Sequence, residues 1–252
     1  MTCSTIPTEK ITGFIFAAGL GTRLYPLTKD KPKALVEVDG KTLLEHTIRK
    51  LTNIGIKRLV INVHHFGQQI IDFVANHSFD ADIRISDERA ELLDTAGGLK
   101  FAESLLNDCD HILLHNVDIL SSIDLLQLCQ AHLTSNALAT LAVKQRDTSR
   151  YFLFNPETMQ LCGWKNQKTG EVITSQTCNN AISLAFSGIH IIKRELINQI
   201  PDTSKRSITP LYLELARTQV IKGWQHQLDR WMDLGKYEDY LTLLPGFTSF
   251  CG

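Results

Sequence analysis

The 252-residue chain predicts a three-layer α/β/α sandwich on a mainly parallel sheet. Two observations carry this prediction. Through the first half, short apolar segments alternate with stretches of helical periodicity, the βαβ rhythm in which crossover helices must cover both faces of a sheet. The composition, 43% hydrophobic and 21% charged, supplies apolar mass for a sizeable core and excludes disordered and collagen-like chains.

Gly13 to Ala18 reads as the first strand, followed by Leu44, Ile48 and Leu51 at helical spacing. Arg58 to Val63 is the second main strand, and Phe66, Ile70, Phe73 and Val74 form the next helical stripe. A strand is expected at Ala81 to Ser86, a helix bearing Leu99, Ala102, Leu105 and Leu106, and a strand at His111 to His115. From Lys144 to Asn180 the pattern turns polar and turn-rich around the short strand Tyr151 to Phe154, which predicts an insertion or hairpin over the sheet. A strand returns at Ser183 to Ile192, a helix at Thr209 to Thr218, and an amphipathic stretch at Lys236 to Leu244. No linker or repeat divides the chain, so residues 1–252 are expected to form one domain.

A formal charge of -1 offers no global positive field for nucleic acid or an anionic membrane, so any phosphate must be bound locally. The apolar runs are too short to span a bilayer and the first residues lack a signal-peptide pattern, so a soluble cytoplasmic protein is expected. The six cysteines form no C-x-x-C pair and are expected to be reduced thiols. Nine histidines show no zinc-ligand spacing, and His64 and His65, as strand neighbours, point apart.

The most informative segment is Phe14-Ile-Phe-Ala-Ala-Gly-Leu-Gly-Thr-Arg-Leu-Tyr-Pro-Leu-Thr-Lys-Asp-Lys-Pro-Lys33. A buried-type strand enters a loop in which Gly19 and Gly21 let backbone N–H groups approach phosphate oxygens, and Arg23 adds a bidentate cation. Taken alone, a Gly-x-Gly pair favours a plainer reading, a tight strand exit with a solvated Arg. The loop has neither the third glycine of a dinucleotide fingerprint nor the Gly-Lys-Ser/Thr of a P-loop. Pro32 keeps Lys31 extended, so the chain can return toward the glycines. Glu91-Leu-Leu-Asp-Thr-Ala-Gly-Gly-Leu-Lys100 reads as a strand exit into a helix that Thr95 can cap, with Gly97 and Gly98 leaving the backbone bare for a base or ribose. Ile112-Leu-Leu-His-Asn-Val-Asp118 is an apolar strand ending in a carboxylate at the carboxyl edge of the sheet, where a hard oxygen donor suits Mg2+.

Together, Ala-Ala-Gly-x-Gly-Thr-Arg-Leu, Pro-Leu-Thr and Pro-Lys resemble the signature of the sugar-phosphate nucleotidylyltransferases, also called nucleotide-sugar pyrophosphorylases. Arg230-Trp-Met-Asp-Leu-Gly235 resembles that family's late Trp-x-Asp-x-Gly motif, and Leu184-Ala-Phe-Ser-Gly-Ile189 its Phe-Ser/Thr-Gly-Ile strand. The resemblance implies a Rossmann-like, glycosyltransferase-A-like nucleotidyltransferase fold. It also implies transfer of a nucleotidyl group from a nucleoside triphosphate, UTP or GTP, to a sugar 1-phosphate with release of pyrophosphate. The loop residues Ala17, Ala18, Gly19, Gly21 and Thr22 would hold the triphosphate, Arg23 the leaving phosphates and Lys33 the reacting phosphate. Thr95, Gly97 and Gly98 would read base and ribose, Gly188 would pass under the sugar, and Asp118 with Asp233 would bind Mg2+.

The short chain is most similar to small bacterial N-acetylmuramate 1-phosphate uridylyltransferases and mannose or heptose 1-phosphate guanylyltransferases, which implies nucleotide-sugar supply for the cell envelope. No room is expected after Gly252 for an acetyltransferase β-helix. A cytidylyltransferase for choline phosphate and a catalytically silent nucleotide-binding subunit are the alternatives. The family's usual Gly is Val117 here, which either fills the ligand pocket or points into the core. Lys165 and Lys168 could supply a cation for the sugar phosphate, although neither lies in a motif.

Overall fold

The computed structural model describes residues 7–227 and 229–243. The chain runs through β1 (Ile11–Phe16), β2 (Glu37–Val38), β3 (Lys41–Thr42), α1 (Leu43–Asn53), β4 (Arg58–Val63), α2 (Gly67–Asn76), β5 (Asp82–Asp87) and α3 (Asp94–Phe101). Next come β6 (His111–Asn116), β7 (Ile119–Ser121), α4 (Leu125–Leu133), β8 (Ala139–Lys144), β9 (Arg150–Phe154), β10 (Leu161–Asn166) and β11 (Val172–Thr174). It ends with β12 (Ile182–Lys193), α5 (Ile208–Leu215), β13 (Ile221–Gln225), β14 (Trp231–Asp233) and α6 (Tyr237–Leu241). The last element occupies the expected amphipathic stretch, whose final residue, Leu244, lies outside the described residues.

Among the described residues ten strands form one sheet, ordered β11-β10-β9-β12-β6-β1-β4-β5, with β8 and β13 attached through β12. The half that carries the glycine loop is parallel: β1 lies between β4 and β6, and β5 extends β4. β12 then joins β6 antiparallel, and its register against β8 slips between Phe186 and His190, where Gly188 takes a φ of 74°.

Strand neighbours Phe14 and Ile15 are both fully buried but in different cores. Phe14 packs with Leu99, Leu114 and Tyr212 beneath α3 and α5, while Ile15 packs with Leu44, Ile48, Ile70 and Leu128 beneath α1, α2 and α4. Burial on both faces explains why β1 is apolar apart from the buried Thr12. Helices on both faces make the three layers. α1 starts where the Thr42 hydroxyl accepts the Glu45 N–H at 3.1 Å, a side-chain cap that its Thr-x-x-Glu spacing encodes.

Two expectations change. Residues 144–180 do not fold over the sheet; β9, β10 and β11 form an antiparallel meander that continues it, because β9 pairs with β12. The buried side chains of Phe152, Phe154 and Leu161 join one core cluster and give that extension its apolar face. The two readings of Val117 are also separated: its side chain is fully buried in the core beneath α1 and α4, not in a ligand pocket. No helix among the described residues is long and apolar enough to cross a membrane.

Val117→Gly should therefore lower the unfolding free energy by about 3 kcal/mol, the sum of an unfilled core site and a freer unfolded backbone. Urea denaturation followed by circular dichroism measures it. A stability within about 0.5 kcal/mol of wild type, the range of a surface substitution, would place the side chain outside the core.

Candidate active site

β1 ends at Phe16, and the chain leaves the sheet as the Ala17 N–H donates to Asn62 Oδ1 at 2.8 Å, at the end of neighbouring β4. Gly21 then takes a φ of 67°, and Thr28 Oγ1 donates to its carbonyl at 2.9 Å. Pro32 is extended at ψ 152°, and the chain does return to the glycines. A Cβ on Gly21 would stand 3.2 Å from Lys33 Cβ, and one on Gly19 would stand 3.8 Å from Lys33 Nζ. The lysine stem thus runs along the loop, and Nζ continues to Asp118 Oδ2 at 2.5 Å, an ion pair whose side chains are only 16% and 12% exposed.

A short ladder brings the second carboxylate beside the first. β14 pairs antiparallel with β7, setting Asp233 opposite Ile119, and the Leu234 N–H donates to the Asp118 carbonyl at 2.9 Å. Surrounding protein raises the Asp233 carboxyl above its ordinary pKa, and the Asp118 charge adds to this, while Lys33 and Arg23 oppose it. The glycine of the Trp-x-Asp-x-Gly motif has a steric reason: a Cβ on Gly235 would lie 2.8 Å from Asp233 Oδ1 and 3.2 Å from Arg23 Nη2. No third His, Cys, Asp or Glu joins a metal-binding group among the described residues. Two adjacent carboxylates facing a phosphate-type loop still fit Mg2+, which takes one or two protein carboxylates and leaves its other positions to phosphate and water.

Two cavities meet at this point. One, of about 380 Å³, is lined by Ala18, Gly19, Lys33, Asn62, Thr95 and Asp118, with Lys205 at its edge. The other, of about 450 Å³, is lined by Arg146, Phe152, Trp164, Gly188, Trp231 and Asp233. Asn116, at the end of β6, lines both. The pair therefore offers separate seats for two ligands whose near ends lie between Asp118 and Asp233.

The structure brings Ala18, Gly19, Lys33, Thr95 and Asp118 to the first cavity, and Gly188 and Asp233 to the second. Gly21 and Thr22 shape the loop beside them, and Arg23 reaches toward Asp233 from an exposed position. Four expectations need correction. Ala17 offers no free amide, because Asn62 takes it, and its side chain is in the core. Thr95 does not cap α3; its hydroxyl accepts the Ile208 N–H at 2.8 Å and so holds the start of α5. Gly97 and Gly98 do not leave the backbone bare. A Cβ on Gly97 would stand 2.4 Å from the Ser204 carbonyl oxygen, and one on Gly98 would stand 2.5 Å from Glu88 Oε1. The Arg206 carbonyl also takes the Ala96 N–H, so the segment before α5 occupies the first turn of α3.

Asn62, Glu88, Asn116 and Arg146 were not singled out from the sequence. The strand-end positions of Asn62 and Asn116 are a signal that could have found them. Asn62 links the loop to a buried acid, because its Nδ2 donates to Glu88 Oε1 at 2.8 Å while its Oδ1 holds Ala17. Burial pushes the Glu88 carboxyl up to about 7 against the opposing Asn62 hydrogen bond.

Comparison with known proteins identifies the family. A family model described as "Nucleotidyl transferase" matches residues 12–248. The chain is 32% identical over 232 residues to an N-acetylmuramate alpha-1-phosphate uridylyltransferase of Caulobacter vibrioides, covering 84% of this chain and 89% of the relative. It is 28% identical to a putative mannose-1-phosphate guanyltransferase of Sulfolobus acidocaldarius, with 92% of this chain matched to 62% of that longer protein. Among solved structures, HddC from Yersinia pseudotuberculosis matches with a TM-score of 0.71 at 22% identity, covering 91% of this chain and 96% of the other. A putative glucose-1-phosphate thymidylyltransferase from Bacillus anthracis matches with a TM-score of 0.76 at 18% identity, over 96% and 95% of the two chains, which speaks for the fold.

Glu88 gives the site a pH signature. Its folded pKa of about 7 exceeds the ordinary 4.5, so the folded state binds more protons between these values and stability is lost as pH rises through that window, by about 3 kcal/mol in all. The buried histidines 115, 132, 190 and 226, lowered from 6.5 to between about 3 and about 4, act oppositely and cost stability as pH falls below 6.5. The difference between wild type and Glu88→Gln isolates the acid. Urea midpoints should show the variant gaining on wild type from pH 5 to pH 8, and a constant difference would mean that Glu88 is ionised throughout.

Proposed function

Because the chain belongs to the nucleotidyl transferase family, we propose that it joins a nucleoside triphosphate to a sugar 1-phosphate, releasing pyrophosphate and a nucleotide sugar. The observation that carries this reading is the pair of cavities meeting at Asn116, with Asp118 on one side and Asp233 on the other. The triphosphate occupies the cavity of the glycine loop, and the sugar phosphate occupies the aromatic one. The relative of similar length is named a uridylyltransferase and the longer ones guanyltransferases, so UTP and GTP are the nucleotides to test. We assign the reaction to the cytoplasm, in keeping with the unpaired thiols Cys109, Cys129, Cys162 and Cys178.

The chemistry is in-line attack of a sugar-phosphate oxygen on the α-phosphorus, so catalysis consists of positioning two polyanions and neutralising charge. Asp118 and Asp233 would hold Mg2+, which when bound supplies Lewis-acid charge to the phosphate oxygens. The backbone amides of Ala18 and Gly19 and the Lys33 ammonium receive charge at the reacting phosphate, and Arg23 receives it at the departing pyrophosphate. Lys33 already pairs with Asp118, so an arriving phosphate exchanges one anionic partner of the ammonium for another rather than meeting a hydrated cation.

Pyrophosphate release, measured with a panel of sugar 1-phosphates crossed with the four common nucleoside triphosphates, should identify one active pair. Release from no combination would overturn the reading. With the active pair, Asp118→Asn and Asp233→Asn should each retain the wild-type circular dichroism and lose most turnover at limiting magnesium. Arg23→Ala and Lys33→Ala should each lower the rate by about 100-fold, or about 3 kcal/mol, and Arg23→Lys should recover little because a point charge does not reproduce the planar fork. Wild-type turnover in both aspartate variants would remove the two-carboxylate site.

A further inference from the structure

The second cavity contains a guanidinium that the fold positions but, among the described residues, leaves out of any ion pair. Arg146 lies between β8 and β9, half-buried, and makes no ion pair among the described residues. Its Nη2 donates to the Phe186 carbonyl at 3.0 Å, and its Cζ lies 4.1 Å from the centroid of the Trp231 ring. Nε is buried and has no hydrogen-bond partner among the described residues. Burial lowers the pKa from the ordinary arginine value, with the Asp233 charge opposing. A buried, unspent N–H on a permanent cation is costly unless a ligand anion completes it.

The shelf beneath Arg146 is fixed in place. The Trp231 indole N–H donates to the Ser187 carbonyl at 2.9 Å, and Ser187 Oγ lies 2.8 Å from the Nε2 of buried His226. Trp231 and Asp233 stand two apart on β14 and so share a face of that strand, which puts the guanidinium on the same side as the metal-type carboxylate. The lysines considered from the sequence are elsewhere. Lys165 Nζ lies over the Tyr151 ring at 5.5 Å, Lys168 is exposed, and neither lines the cavity. Arg150 lines it but is exposed.

We propose that Arg146 is the residue that grips the phosphate of the sugar 1-phosphate, a proposal that rests on the reading of the two cavities given above. Two N–H groups on one planar fork fit two phosphate oxygens, and the third free oxygen is left to attack. In the step that follows, that oxygen forms a bond to the α-phosphorus of the triphosphate. The bond from the α-phosphorus to the β-phosphate oxygen breaks, and its electron pair leaves with pyrophosphate. The attacking oxygen is already ionised at neutral pH, so no base is needed and Arg146 transfers no proton.

The test is steady-state kinetics of Arg146→Met, which keeps the length and the packing on Trp231 but removes the charge. With the active pair found for wild type, KM for the sugar 1-phosphate should rise about 30-fold, as expected for losing a charge-assisted pair, while KM for the triphosphate stays within about 2-fold. Arg146→Lys should recover little, and Lys168→Met should change neither KM. The rise should be equal for a neutral sugar, mannose 1-phosphate, and an acidic one, N-acetylmuramate 1-phosphate, whichever of them wild type accepts more slowly. A rise confined to the acidic sugar would mean that Arg146 reads a sugar carboxylate, and an unchanged KM would leave it a packing residue. Either result overturns the proposal, as would the same 30-fold rise in Arg150→Met with none in Arg146→Met. If Arg146→Met does not fold, Arg146→Gln and Arg146→Lys carry the same comparison. Failure of the functional reading is distinct, because wild type itself would then release no pyrophosphate.

Discussion

The ion pair between Lys33 and Asp118 is the constraint on which the site depends. It ties the end of the glycine loop to the end of β6 and thereby fixes the distance between the phosphate-type loop and the carboxylates. It also tempers a repulsion, because Asp118 and Asp233 are brought together by the β7 and β14 ladder and each charge opposes the other. Removing two partly buried charges from water costs about as much as their attraction returns, so the pair contributes organisation more than stability. On the proposed reading, the pair holds in place, in the free protein, the cation that an arriving phosphate takes over.

Around that pair, supporting contacts come from distant parts of the chain. Glu88 and Asn62 anchor the start of the loop through Ala17. The Arg206 carbonyl occupies the first turn of α3, and Thr95 in return holds the start of α5. Segment 204–210 thus connects the two cavities, with Lys205 on the first and Ser207, Thr209 and Pro210 on the second. Filling either cavity would therefore bear on the same stretch of backbone.

The parts of this arrangement that were legible in the sequence are those with a local cause. Strands buried on both faces must be largely apolar, so β1, β4 and β6 stand out, and Pro32 marks the extended step after which Lys33 lies against the glycines. The roles of Gly97 and Gly98 were not legible, because a glycine needed for a neighbouring carbonyl or carboxyl looks the same in sequence as one needed for a ligand. Thr95 has the composition of a cap and is one, but for a helix more than a hundred residues later. Arg146 sits in a polar stretch without a motif, and only the juxtaposition of β14 with the segment after β8 reveals the ring beneath it. The meander of β9 to β11 was misplaced for a related reason: its turn-rich composition is visible locally, whereas its pairing with β12 is not.

On the proposed reading, the two cavities that share Asn116 hold both substrates at once, and these react directly. The stereochemical course at phosphorus tests this claim most directly. With a triphosphate carrying sulfur in one configuration at the α-phosphorus, a single in-line displacement predicts a nucleotide sugar of inverted configuration. Net retention would require two successive displacements through a covalent enzyme intermediate, and would contradict the account.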